Sequence, residues 1–177
     1  MSAQGLVIQA AQSQLFVVEK GGSDGKSGNI VPYWEWWQNE TGQKFQGASW
    51  CAVFVSWCFA QHPQTANLIP AKNAHGFIYC PDLENYAKKK NLVIDAHHAQ
   101  AGDIALFDFA GAGIADHVEI IEKPLGNNLI QTIGGNTSPQ GAVNASQSNG
   151  GGVYRRQRPI DKTLRLVVRP PYPTLGR

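Results

Sequence analysis

In the first half of the chain the apolar positions recur at helical spacing, whereas after residue 100 they alternate with polar ones at the spacing of strands. Residues 3 to 19 carry Leu6, Ala10, Leu15, Val17 and Val18 as an imperfect apolar face closed by Gly21-Gly22, which predicts a first helix. Residues 51 to 61 are apolar on nearly every side, the mark of a buried helix. Residues 76 to 90 predict another, beginning near Pro81 and ending in Lys88-Lys89-Lys90, a charge pattern that suits a helix C-terminus. Short strands are then predicted at Asp103–Phe109, His117–Glu122, Asn128–Ile133, Gly152–Gln157 and Leu164–Val168, separated by Gly or Asn clusters. Helices first and strands later predict an α+β fold with an antiparallel sheet.

Three stretches fit neither period. Residues 21 to 32 form a Gly/Ser/Asn-rich loop. Within it Ser23–Asn29 lacks the repeated Asp/Asn ligands and closing Glu of a calcium loop, and it reads as turns. Tyr33, Trp34, Trp36 and Trp37 are either core packing or a cleft wall that stacks on sugar or peptide. Residues 138 to 151 read as a mobile polar loop.

Composition narrows the class. A chain of 177 residues, 42% of them hydrophobic, predicts one domain spanning 1–177 with an ordinary core. A formal charge of +2 gives no argument for nucleic acid. Arg155, Arg156, Arg158, Lys162, Arg165 and Arg169 make the C-terminal third basic, which reads as a solvated strand edge or as mild attraction to an anionic polymer such as a bacterial wall. Three cysteines cannot all pair and none forms Cys-x-x-Cys, so reduced thiols are expected and a zinc knuckle is not. Met1 to Glu19 lacks the basic start and apolar run of a signal peptide, and no segment approaches the ~20 apolar residues of a membrane span. The expectation is a monomer made in the cytoplasm, without membrane insertion, that something else delivers to any target outside.

The candidate chemistry centres on Cys51. A small, polar, Gly-containing run ends there and an apolar helix begins, so the thiol sits where unpaired N–H groups and the helix dipole favour thiolate. Cys58 lies two turns inside the same helix and reads as core; Cys80, before Pro81 in another segment, also reads as structural. A thiolate needs a base within hydrogen-bond reach. Of five histidines only His117 begins an apolar strand beside a turn, with Glu119 on the same strand face. A third group must fix the imidazole tautomer, and Asn136 or Glu119 could do so. The Cys51 backbone N–H would stabilise an oxyanion, helped by an upstream amide, Gln46 or Gln43. Trp50, Gln46 and Trp37 are candidate substrate contacts. This chemistry requires no metal or cofactor.

Four blocks carry a family resemblance: Trp50-Cys51-Ala52-Val53-Phe54-Val55-Ser56-Trp57-Cys58, Gly102-Asp103-Ile104-Ala105-Leu106-Phe107, Asp116-His117-Val118 and Thr132-Ile133-Gly134-Gly135-Asn136-Thr137-Ser138. Together they resemble the CHAP family of cysteine amidases and peptidases. The resemblance implies a papain-like (NlpC-like) fold with N-terminal helices packed on an antiparallel sheet. It also implies cleavage of amide bonds in peptidoglycan, with Cys51 as nucleophile and His117 as base. Many members have an acid where Gly134 stands and Gly where Glu119 stands, so the orienting role falls to Asn136, the preferred candidate, or to Glu119. The expected function is that of a phage-type endolysin released through a holin-made hole. An interbacterial amidase toxin and a non-catalytic wall-binding module are the alternatives.

Overall fold

A computed structural model describes residues 1–21, 28–142 and 146–173. Five helices precede most of the sheet: α1 (Ala3–Ser13), α2 (Pro32–Thr41), α3 (Cys51–Ala60), the short α4 (Pro63–Ala66) and α5 (Cys80–Lys89). The strands are β1 (Val93–Ile94), β2 (Ile104–Phe107), β3 (His117–Gly126), β4 (Leu129–Thr137), β5 (Gly152–Pro159) and β6 (Leu164–Val168). They form one antiparallel sheet in the order β1-β6-β2-β3-β4-β5. The α+β architecture with helices packed on an antiparallel sheet is therefore as expected.

α3 is the hub. Cys51 to Ser56, Cys58 and Phe59 are all buried, so this helix is enclosed on every side, and it packs on α1, α2, β3 and β4. Its one interior hydroxyl is satisfied, because Ser56 Oγ donates to Phe77 O (2.6 Å) and accepts from Phe77 N (2.9 Å). Ile104, Leu106, Val118, Ile120 and Ile133 join the main core with α3. Ala105, Phe107, Ile121, Ile130 and Val167 alternate with them and form a smaller apolar cluster.

Several boundaries differ from the sequence reading. α1 stops at Ser13, and Phe16 adopts φ 72°. Val17 and Val18 then pair with the sheet instead of continuing a helix: Val153 N donates to Val17 O (2.8 Å), and Phe16 N donates to Val153 O (2.9 Å). Both are β-branched, a preference that suits strand-like pairing. The aromatic run lies on α2, which periodicity missed; Pro32 opens it and Gly42, at φ 73°, closes it. Tyr33, Trp34 and Trp37 are buried, so the run is chiefly packing. β4 continues past Ile133 to Thr137, with a register shift between Gly134 and Thr137. Ser23–Ser27 of the calcium-like stretch lie outside the described residues.

In its described part the loop after β4, read as mobile from sequence, is tied to the end of the strand by hydrogen bonds. Thr137 Oγ1 donates to Gln147 O (3.0 Å) and Ser138 Oγ to Ser146 O (2.7 Å). The basic C-terminal third is not a solvated edge either. Arg156 and Arg158 alternate inward on β5 and are buried. Arg155, Arg165 and Arg169 pair with Glu122, Glu84 and Asp103.

Candidate active site

Cys51 is the first residue of α3 and is 3% exposed. No side chain caps the helix, so the first-turn N–H groups and the dipole act on the sulfur and its surroundings. The Cys80 sulfur, at the first residue of α5, lies 3.8 Å from the Cys51 sulfur. His117 opens β3 directly opposite Phe107 of β2 and is fully buried. The loop before it is closed by Asp116, whose carboxylate accepts from Phe109 N (3.1 Å) and Ala110 N (2.7 Å).

Glu119 holds the imidazole. His117 Nε2–H donates to Glu119 Oε1 at 3.0 Å, which leaves Nδ1 as the ring nitrogen turned to other work. Nδ1 makes no hydrogen bond of ordinary geometry, yet His117 and Cys51 interact strongly enough to shift each other's proton affinity. Glu119 is itself fully buried and fully engaged. Arg158 grips it with Nη2 to Oε1 (2.5 Å) and Nε to Oε2 (3.0 Å), and Thr132 Oγ1 donates to Oε2 (2.5 Å). Such a fork on a carboxylate is among the stronger hydrogen-bonded pairs. The guanidinium also lies 5.4 and 5.0 Å from the Phe107 and Phe109 ring centres.

The charges agree with this geometry. Cys51 is held well below the ordinary thiol value, first by the hydrogen bond from Cys80, then against burial by His117 and the Val118 N–H. Burial alone would lower His117, but Cys51 and Glu119 outweigh it and raise it to about 9. Burial would raise Glu119, yet Arg158 and His117 hold it well below the usual carboxylate range. A thiolate, an imidazolium, a carboxylate and a guanidinium thus stand in sequence.

The other predicted residues fall elsewhere. The preference for Asn136 as the orienting group is corrected by its bonds. Asn136 Nδ2 donates to Ser49 Oγ (3.0 Å) and Asn149 Oδ1 (3.2 Å), and Oδ1 accepts from Gly151 N (3.4 Å). It lies within β4, not after it, at φ 56°, and it ties the segment leading into α3 to the following loop. Gln46 is spent on both backbone groups of Val31 (3.3 and 3.2 Å). Trp50 is wholly buried, donating Nε1–H to Glu19 Oε2 (3.0 Å) and stacking on Tyr33, so it offers no surface to a substrate. Trp37 is buried too, but its edge, with Gln43, Phe77, Ile78, Asp82 and Lys89, lines a cleft of about 380 Å³. Cys80, read as structural, lies 3.8 Å from the Cys51 sulfur, and Arg158, which the sequence reading did not single out, grips Glu119. Cys58 is buried core, and burial pushes its thiol up.

Residues 41–136 match the model of the CHAP domain family. The chain belongs to the CHAP family. No curated protein matches it. Membership places it among amidases and peptidases acting on peptidoglycan-type substrates, on a papain-like fold. The matched span contains Cys51, His117 and Glu119 and ends before Arg158.

Within this CHAP domain, Gly134 and Glu119 explain each other. β3 and β4 pair Ile120 with Ile133, so the next rung sets Glu119 opposite Gly134. A Cβ at Gly134 would stand 2.6 Å from Glu119 Cγ and 2.8 Å from Oε1. The carboxylate therefore reaches His117 through space that only glycine leaves open.

Proposed function

We propose that the protein hydrolyses an amide bond in the peptide portion of bacterial peptidoglycan through a Cys51 thioester. The observation that carries this reading is His117, fixed by Glu119 through Nε2 and sharing its proton balance with Cys51. The Cys51 thiolate attacks the carbonyl carbon, and the Cys51 backbone N–H, which has no partner within its helix, donates to the oxyanion. The tetrahedral intermediate collapses as His117 gives its proton to the departing amine. Water, deprotonated by the now neutral His117, then cleaves the thioester and restores the thiolate. Glu119 keeps one tautomer in place and stabilises the imidazolium, and Arg158 keeps Glu119 ionised and oriented.

Cys51→Ala is expected to reduce clearing of purified peptidoglycan by on the order of 10⁴-fold or more, since a nucleophile and its base act as one unit. Mass spectrometry of the released fragments names the bond: a free muramoyl lactyl group marks an amidase, and a new amino terminus inside the stem or bridge marks an endopeptidase. Undiminished clearing by the alanine variant would overturn the thioester.

In this reading residues 1–177 act as one catalytic domain, as a monomer, in the role of a phage-type lysin that reaches the wall through a holin-made hole. A holin gene beside this one supports that setting, and an immunity gene supports a secreted amidase toxin instead. A wall-binding module without catalysis has no use for a buried thiol, imidazole, carboxylate and guanidinium in sequence.

A further inference from the structure

We infer that Cys80 is a resolving cysteine for Cys51, so that a hydroperoxide converts the site into a Cys51–Cys80 disulfide and silences it reversibly. This rests on Cys51 being the reactive thiol proposed above. The two sulfurs are 3.8 Å apart, and bond formation needs them to close to about 2.05 Å. Each cysteine is the first residue of its helix, α3 for Cys51 and α5 for Cys80, so neither is locked within a helical turn on both sides. Their positions are 29 residues apart in sequence and on different elements, so the contact is made by the fold.

The pair is unsymmetrical in a way that suits this chemistry. Cys51 carries the thiolate, whereas Cys80 keeps its proton because its hydrogen bond to Cys51, then burial, the Cys51 charge and Asp116 all push its thiol well above the ordinary value. The thiolate is the form that peroxide oxidises. It attacks the O–O bond of a hydroperoxide, takes one oxygen and, with a proton, gives Cys51 sulfenic acid and an alcohol or water. The negative charge that held the proton on Cys80 is then gone, and the start of α5 favours its thiolate. Cys80 sulfur attacks the sulfenic sulfur, the S–O bond breaks and the hydroxide leaves as water with the proton from Cys80 or His117. The net change is two thiols and one hydroperoxide to one disulfide, water and one alcohol or second water. Oxidation of the nucleophile thus activates its own rescuer before further oxygens add irreversibly. Cys58, buried in α3 with its thiol pushed up, is the internal control.

The test oxidises the reduced full chain with about three equivalents of hydrogen peroxide, enough to carry an unprotected thiolate past the reversible sulfenic acid, then alkylates it after denaturation and maps the cysteines by mass. Wild type is expected to be two hydrogens lighter, with Cys51 and Cys80 in one linked peptide pair and only Cys58 alkylated. Dithiothreitol should restore the wall-clearing rate of the untreated sample. Cys80→Ser should instead accumulate added oxygens on Cys51 and recover several-fold less activity on reduction. Wild type that gains oxygen on Cys51 while Cys80 remains alkylatable would overturn the inference, as would equal recovery in the two proteins. The linkage is read by mass alone. An oxidised pair in a protein that never clears walls would therefore contradict the proposed activity while leaving the resolving cysteine standing.

Discussion

At the level of single residues, a buried carboxylate holds a buried imidazole in place. Glu119 is buried, doubly held by Arg158, and bonded to His117 Nε2. His117 is raised from 6.5 to about 9, and part of that rise comes from Cys51. Cys51→Ala should therefore lower the His117 titration seen by NMR, and wild-type hydrolysis should fall as pH rises through about 9, where the imidazolium loses the proton it owes the leaving amine. A His117 titration unchanged by Cys51→Ala would show that the two groups do not share a charge. Cys51 was legible because a small polar run gives way to a wholly apolar helix there, and His117 because it opens an alternating strand beside a turn. Glu119 was visible as a residue two along on the same face. Asn136 drew the orienting role because it was read as lying just past β4, ended at Ile133, and because the chain lacks the resembled family's usual acid at Gly134. Arg158 was hidden among six basic residues, although its two-residue spacing from Arg156 on a strand was the signal that both turn inward.

Between elements, the rung that joins β3 to β4 carries the argument. Glu119→Gly alone strips Arg158 of its buried partner, a change that costs about 3–5 kcal/mol. Gly134→Glu alone drives a side chain into Glu119, whose Cγ stands 2.6 Å from the added Cβ; overpacking of this kind costs about 1–3 kcal/mol. The double variant Glu119→Gly with Gly134→Glu restores one carboxylate and one gap on the same rung. It should melt higher and clear walls faster than either single variant, and a double variant no better than the worse single would refute the exchange. The sheet's five main strands were readable from alternation, whereas β1 spans only Val93–Ile94 and gives no period. α2 was obscured because a run of aromatics buries several faces at once. α1 was overextended because Val17 and Val18 continue its apolar pattern while pairing with Val153 and Gly152 of β5.

Across the molecule, buried and half-buried ion pairs set how the fold responds to pH. Glu84 is held near 2, first by Arg165, and Glu122 near 2, with Arg155 overcoming its burial. These lowered carboxylates and Glu119 contribute stability that is present above about 4.5 and is lost as pH falls toward 2. His117 has the opposite sign: its contribution is complete below 6.5 and is lost as pH rises through about 9. Cys51 carries the opposite slope, because its lowered thiol adds stability as pH rises toward the ordinary thiol value, so the melting temperature should climb from about 2, stay level between about 6.5 and 9, and in Cys51→Ala begin to fall already above 6.5. An alkaline limb identical in both proteins would assign it to other groups. The basic C-terminal strands that read as a wall-attracting edge spend their arginines on this internal network, which composition alone could not reveal. The most direct test of the whole account is the rate of iodoacetamide addition to Cys51 against pH, in wild type and Glu119→Gln. The account predicts that the wild-type rate rises at a pH well below the ordinary thiol value of about 8.5, and that Glu119→Gln shifts the rise upward. A rise centred on the ordinary thiol value in both proteins would contradict it.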